Sequence, residues 1–391
     1  MEKKDIKIIG SGWGCAAFLK DIDNTKYNVT VISSNPNFLY TPLLANNTTH
    51  DISLEQNIKK INKNINSITD NVSDIDFVKK KIITENNKPI EYDYLILCHG
   101  AQVNTFNIKG VDNFSYFLKD TNDANKIKEQ LSNLKKNSNI AVIGCGPTGT
   151  ELIGNLIDLN KFNIYAIDGL KVPLSMFSQK ISDYTVNTWK NKNVHLYFDH
   201  FVQEIDKNNI YFKNNKIDYD MAIWCGGIKP NTLTNKINNS LYNKCRFGIP
   251  VSPTLNLIYN QPTPTYFSFF YNTIFGKPED PDLSNVYAIG DCAYSKNPPT
   301  AQVAFQQGKY LASRFNNEFV NNEPFKLESK GQICYIGDKK SVYQLNKFTS
   351  NGNITYYLNK IIHVYNAVNF DQSKTFIFDF LTPKASFFCK L

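Results

Sequence analysis

The chain has 391 residues, a formal net charge of +8, 42% hydrophobic and 20% charged residues, which is length for two or three domains at roughly 150 residues each. No stretch reaches the roughly 18 consecutive apolar residues of a spanning helix, so a polytopic membrane protein is excluded, and no basic run interleaved with aromatics points to nucleic acid. The eight cysteines show no C-x-x-C spacing, so no metal site and no vicinal dithiol are expected, only buried reduced thiols.

The first strand is expected at Ile6 to Ile9, a few residues after Met1, with no apolar or Arg-rich leader ahead of it, so neither a signal peptide nor a cleavable presequence is expected. It runs into Gly10-Ser11-Gly12-Trp13-Gly14-Cys15, a helix to about Asp21 and a strand from Val29 to Ile32. A strand-to-helix turn without Cβ atoms lets backbone N–H groups and the positive helix end approach a pyrophosphate. Tyr92 to Ala101 reads as a strand entering a second glycine turn at Gly100. The opening pattern then recurs, with strand Ile140 to Ile143, turn Gly144-Cys145-Gly146-Pro147-Thr148-Gly149 and strand Asn163 to Asp168, ending near Met221 to Gly227. Two such motifs in one chain are far more specific than one, and they point to two dinucleotides and to electron transfer. Val286 to Ile289 is a further strand, delivering Gly290 and Asp291 at its end.

Strands alternating with helices predict an α/β fold of two Rossmann-like dinucleotide-binding domains, the first interrupted by the second. The expected division is 1–113 and 229–324 for the interrupted domain, 114–228 for the inserted one, and 325–391 for a C-terminal region. In that region Ile361, Tyr365 and Val368 recur at helical spacing, as do Phe376, Ile377, Phe380 and Leu381, with Lys360, Lys374, Lys384 and Lys390 flanking them and Asp371 and Ser373 as caps. Such faces either pack on the nucleotide domains or lie in a membrane interface.

Asp168 lies 19 residues past Gly149 at a strand end, where a carboxylate accepts from the ribose hydroxyls of NADH and repels a 2′-phosphate. The competing reading is a turn aspartate before Gly169. Ser33-Ser34-Asn35 offers no acid at the matching place in the first unit. Asp291 fits an acceptor for a ribityl hydroxyl of FAD. Glu151 either stabilises its helix dipole or stands near the nicotinamide. His99, beside Gly100, reads as structural.

Ile9 to Cys15 followed by Phe38-Leu39-Tyr40-Thr41-Pro42-Leu43-Leu44, Gly144 to Glu151, and Ala288 to Asp291 followed by Pro298-Pro299-Thr300-Ala301-Gln302-Val303-Ala304-Phe305-Gln306-Gln307 together resemble the type II NADH:quinone oxidoreductases along nearly the whole chain. The resemblance implies FAD on Gly10, Gly12, Gly14, Cys15, Ser33, Thr41, Pro42, Gly100, Ala101, Gly290, Asp291, Ala301 and Gln302. It implies NADH on Gly144, Gly146, Pro147, Thr148, Gly149, Glu151, Asp168, Gly226 and Gly227, with quinone meeting the flavin near Gln302 and Gln306. Glu151, Gln302 and Gln306 are the catalytic candidates. The implied activity is hydride transfer from NADH to flavin and two-electron transfer to a membrane quinone, without proton pumping. The implied protein is peripheral, on the cytosolic or an equivalent reducing face, held by C-terminal amphipathic helices and open to pairing as a homodimer. Three positions depart from the pattern: Asn35 for an arginine, Asn155 for a second glutamate, and Phe305 for a histidine of some members. Two alternatives stand beside this reading. One is a sulfide:quinone-type reductase of the same fold, which needs cysteines at the flavin, with Cys225 and Cys334 as candidates. The other is a redox-degenerate NADH- or FAD-binding signalling protein.

Overall fold

The computed structural model describes residues 2–242, 247–259, 281–320 and 323–369, with the side chains of 367–369 excepted. The expected helical positions from Asp371 to Lys390, and the side chain of Val368, lie outside the described residues. The chain divides into two compact units, Met1–Leu39 with Glu55–Gln102 and Lys229–Leu327, and Tyr40–Leu54 with Val103–Ile228 and Glu328–Leu391.

The first unit is built on a five-stranded sheet in the spatial order Val286–Ala288, Tyr94–Leu97, Lys4–Ile9, Tyr27–Ser33, Asn66–Thr69. Its pairings are parallel, with Ile6 opposite both Val29 and Tyr94. The central strand is covered on both faces, so Ile6, Lys7, Ile8 and Ile9 are all buried in succession rather than alternately, the Lys7 ammonium paired with Asp5 at 3.3 Å. The helix Trp13–Asp21 packs on the helix Ala301–Asn316, and their close approach depends on Gly308. A Cβ there would collide with the carbonyl oxygen of Gly14. Phe18 and Phe315 meet edge to face, 5.5 Å between ring centroids, at the far end of this contact.

The second unit repeats the plan with Tyr116–Phe117, Met221–Trp224, Asn139–Ile143, Asn163–Asp168 and His195–Phe198, again all parallel. The expected α/β class and Rossmann-like sheets are borne out, as is the recurrence of the opening motif. An antiparallel meander, Glu204–Ile205, Asn209–Tyr211 and Lys216–Asp218, leads back toward the central strands. The helix Pro147–Leu159 lies so close to the strand Gln332–Gly337 that a Cβ on Gly154 would stand 2.7 Å from the Gly337 nitrogen.

The start of the C-terminal region differs from the helices expected. Gln332–Gly337, Lys340–Leu345 and Phe348–Gly352 form an antiparallel sheet before the helix Asn353–Asn369 begins. Gly337 pairs with Lys340 across Asp338 and Lys339, both at positive φ (57° and 54°), the conformation of a two-residue hairpin turn matched to strand twist. The helix that follows is reversed in polarity. Its buried residues Thr355, Asn359 and His363 are polar and bond to Ser350, Ser341 and Tyr40, while Ile354, Tyr357, Ile361 and Tyr365 are exposed. Among the described residues no helix is long and apolar enough to cross a membrane.

Candidate functional site

In the first unit, the turn after the Lys4–Ile9 strand contains glycines of two kinds. Gly10 has φ +105°, and a Cβ on it would sit 2.5 Å from the Cys98 carbonyl oxygen; Gly14 would meet the Ile289 side chain at 2.8 Å. These two are required by the packing. Gly12 is not, since a Cβ there meets nothing within 4 Å and its φ is −77°. It caps the Trp13–Asp21 helix without any side-chain hydrogen bond, so the first N–H groups of that helix remain available to an anion. The open space at Gly12 fits a dinucleotide pyrophosphate, and the fold itself gives no reason to exclude a side chain there.

The surrounding residues shape this cradle. Ser11 Oγ lies 2.8 Å from the carbonyl oxygen of Asn35 and 3.2 Å from Ser33 Oγ, and Asn35 Oδ1 accepts from the Asn37 N–H at 2.9 Å. The loop that lacks an arginine is therefore ordered by short polar side chains. Gly100 has φ +68° with open space where a Cβ would lie. His99 bonds Thr234 Oγ1 at 2.9 Å, and burial pushes it down to about 4, so it is a neutral, structural histidine, as expected. Gly290, at the end of the Val286–Ala288 strand, donates its N–H to Gln307 Oε1 at 2.7 Å. Gln307 is fully buried and donates in turn to Ser295 at 3.0 Å, which fixes the turn that carries Asp291. Its positioning role had no local signal beyond its place in the Ala301 to Gln307 run. Gln302 and Gln306 lie half-buried on the same helix, whose start is capped by Thr300 accepting from the Val303 N–H. Phe305, in place of the histidine, meets Trp13 edge to face at 6.5 Å. The Cys15 side chain is buried in the core, which leaves its backbone as the group it offers a ligand.

The second unit repeats this division of labour. Gly144, φ +98°, and Gly149 would place a Cβ into the carbonyl oxygens of Cys225 and Gly144 respectively, whereas Gly146, φ −67°, meets nothing within 4 Å. Gly146 caps the Pro147–Leu159 helix, again with no side-chain bond, and Pro147 at the first turn removes an N–H that would have no partner. Thr148 follows it in the first turn. Gly226 is hemmed by the Trp224 ring, whose Nε1 donates to Asn104 at 2.9 Å, while Gly227, φ +109°, borders open space. Thr41 and Pro42, also in this unit, begin a short 3-10 turn, Thr41–Leu43.

Asp168 takes the role of a turn aspartate. Its Oδ2 accepts from the Cys145 N–H at 2.6 Å and its Oδ1 from the Leu170 N–H at 2.8 Å, so it braces the glycine turn and its own turn together. A carboxylate has about four acceptor sites, which leaves capacity for two ribose hydroxyls.

Glu151 lies on the wall of a cavity of about 450 Å³ formed within the second unit, together with His50, Asp158, Tyr335, Lys360 and His363. Burial pushes the Glu151 carboxyl up to about 8, against the pull of the Tyr335 backbone N–H, so its protonated form dominates at neutral pH. Burial also raises Asp158, which accepts from the Asp338 N–H at 2.9 Å, and lowers His363 to about 4. Asn155, in place of a second glutamate, is buried and satisfied, donating to the Glu151 carbonyl at 2.7 Å and accepting from Asn46 at 3.1 Å. All six cysteines among the described residues are free, and among those residues no His, Cys, Asp and Glu cluster fits a metal.

Residues 4–256 match the family model described as pyridine nucleotide-disulphide oxidoreductase. The chain belongs to that family. Within it, the resemblance to type II NADH:quinone oxidoreductases is borne out. A probable NADH dehydrogenase of Dictyostelium discoideum is 27% identical over 97% of this chain and 90% of its own length. A probable mitochondrial NADH-ubiquinone oxidoreductase of Schizosaccharomyces pombe is 27% identical over 86% of this chain, which spans 66% of that protein. The solved structure of NDH2 from Plasmodium falciparum in complex with NADH superimposes with a TM-score of 0.85 at 26% identity, covering 97% of this chain and 98% of that one.

Proposed function

We infer that the chain is an FAD-dependent NADH:quinone oxidoreductase that takes a hydride from NADH and passes two electrons to a quinone without pumping protons. The observation that carries the reading is the pair of uncapped helix N-termini, each behind a glycine, Gly12 or Gly146, whose missing side chain the fold does not require. Bound FAD supplies hydride acceptance and two-electron delivery to the quinone. The chain's own residues do the positioning. Gly144, Gly146, Pro147, Thr148 and Gly149 hold the NADH pyrophosphate at the Pro147–Leu159 helix, Asp168 accepts from its ribose, and Gly226 and Gly227 leave room for the nicotinamide half. Gly10 to Cys15, Ser33, Thr41, Pro42, Gly100, Ala101, Gly290, Asp291 and Ala301 hold FAD. Gln302 and Gln306 orient the quinone, and Glu151, protonated near neutral pH, holds a proton at its carboxyl oxygen. Residues 1–113 and 229–324 form the FAD domain, 114–228 the NADH domain, and 325–391 the membrane-docking and pairing region.

Burial holds Cys225 and Cys334 as thiols, Cys225 pushed up to about 12, which weighs against a sulfur-carrying reductase, whose nucleophile is a thiolate. The deciding measurement is an absorbance titration of purified protein. NADH is expected to bleach a bound flavin and a short-chain quinone to restore it; absence of flavin, or bleaching by sulfide alone, overturns the reading.

The reversed polarity of the Asn353–Asn369 helix supports peripheral docking. Four large apolar side chains in one exposed row, with Ile354 84% exposed, are costly in water and favourable in the headgroup and acyl boundary. In this reading the chain docks on the cytosolic or an equivalent reducing face of a quinone-bearing membrane. The double variant Ile354→Asp, Ile361→Asp is expected to lose co-sedimentation with anionic phospholipid vesicles by at least about tenfold, with its melting temperature kept. Undiminished binding would remove the docking role of this face.

A further inference from the structure

Beside Asp168, the chain presents an aromatic ring outside both glycine cradles. The strands Asn163–Asp168 and His195–Phe198 end side by side, with Asp168 opposite Phe198. The turns that follow are tied together by two backbone hydrogen bonds, from His200 N–H to the Asp168 carbonyl at 3.0 Å and from Asp199 N–H to the Leu170 carbonyl at 2.9 Å. Asp199, at φ +62°, reverses the chain, and His200 is held from below, its Nδ1 2.7 Å from the Phe198 carbonyl and its ring edge-on to Tyr197 and Phe212. Phe201 therefore emerges at a fixed place next to the carboxylate. One part of its ring lies over Gly169, where a Cβ would sit 2.6 Å from Cε1 and 2.7 Å from Cδ1. Phe201 as a whole is 69% exposed, and Leu170, whose carbonyl accepts from Asp199, is exposed as well.

We propose that Phe201 is the platform on which the adenine of NADH stacks, with Leu170 beside it. The proposal rests on the reading that NADH lies across Gly146 and Asp168. Once the ribose hydroxyls reach Asp168, the base attached to that ribose comes beside an exposed phenyl ring fixed against Gly169. Every purine offers a π-face, and stacking on an aromatic side chain needs no donor or acceptor from the protein. The arrangement also explains Gly169. A side chain there would push the ring away from the carboxylate, so the glycine inside the Asp168 turn also leaves room for the platform. Phe201 is a positioning residue: it holds the adenosine half while the nicotinamide half reacts.

The test compares NADH with reduced nicotinamide mononucleotide, which carries the reacting ring but no adenosine. In Phe201→Ala the ratio of kcat/KM for NADH to that for the mononucleotide is expected to fall about tenfold, through KM and not kcat, and Phe201→Trp to recover most of it. If Phe201→Ala keeps the ratio while Asp168→Ala lowers it, the platform is wrong and the ribose site stands. If both substrates lose equally in Phe201→Ala, the ring is structural and the proposal fails. If Gly146→Val also leaves NADH oxidation intact, NADH does not use this cradle and the platform falls with that reading.

Discussion

Gly146→Val is expected to lower kcat/KM for NADH by at least about two orders of magnitude, the scale of loss when bound groups are displaced by an ångström or more, while flavin content and melting temperature stay near those of the parent protein. The three glycines of this turn differ in what forbids a side chain. At Gly144 the backbone is left-handed and a Cβ runs into the Cys225 carbonyl; at Gly149 it runs into the Gly144 carbonyl. Substitution at either disrupts the strand-to-helix turn itself. At Gly146, φ −67° and ψ −173° are extended values open to valine, and no atom stands within 4 Å of the added Cβ. The isopropyl group therefore occupies space that only a ligand otherwise needs, and it covers the N–H groups at the start of the Pro147–Leu159 helix that an anion would approach. Gly146→Val separates loss of a ligand from loss of a fold, whereas the same change at Gly144 does not. Steady-state kinetics with NADH, flavin absorbance and a thermal melt on one preparation are sufficient. Turnover at the parent rate would refute the assignment of this cradle.

Parts of the fold that depend on local chemistry were legible in the sequence. The runs Ile6 to Ile9 and Ile140 to Ile143 are short and rich in β-branched residues, and each is closed by glycine, so strand, turn and helix follow from adjacent residues. Asp168 was placed by counting, because the distance from a glycine turn to the next strand end is set by one helix and one connection. What remained hidden depends on residues far apart. The Asp338-Lys339 turn adopts the hairpin conformation usually signalled by Asn-Gly or Asp-Gly; without a glycine it carries no such signal, and only the helical spacing beyond the strands is visible along the chain. Asn155 looked like a loss of charge, yet Asn46, 109 positions away, satisfies it. Gln307 bonds across to Gly290, and Phe201 stands beside Asp168 only because two parallel strands end together. In each case the partner is supplied by the tertiary fold, and no pattern along the chain encodes it.

Gly12→Val is expected to yield protein that purifies without flavin, with its FAD affinity reduced by at least about a hundredfold by the same loss of registration. The first unit argues this as the second does for NADH. Gly12 has φ −77° and ψ −163°, nothing within 4 Å of an added Cβ, and an uncapped helix behind it. Gly10 and Gly14, in contrast, are held by the Cys98 carbonyl and the Ile289 side chain. The turn keeps its shape without a ligand, because the hydroxyl of Ser11 is already engaged with Asn35 and Ser33. The melting temperature is expected to fall to that of the parent protein stripped of flavin, since a ligand that binds the native state stabilises it by mass action, and added FAD is expected not to raise it again. NADH binding, followed by its own fluorescence, is expected to survive. The two valine variants then form a reciprocal pair, one losing flavin and keeping NADH, the other the reverse. A shared fold defect would lower both affinities in both proteins, so the crossed pattern requires two separate cradles with separate ligands. A full complement of flavin in Gly12→Val would show that FAD is held by other residues of the chain.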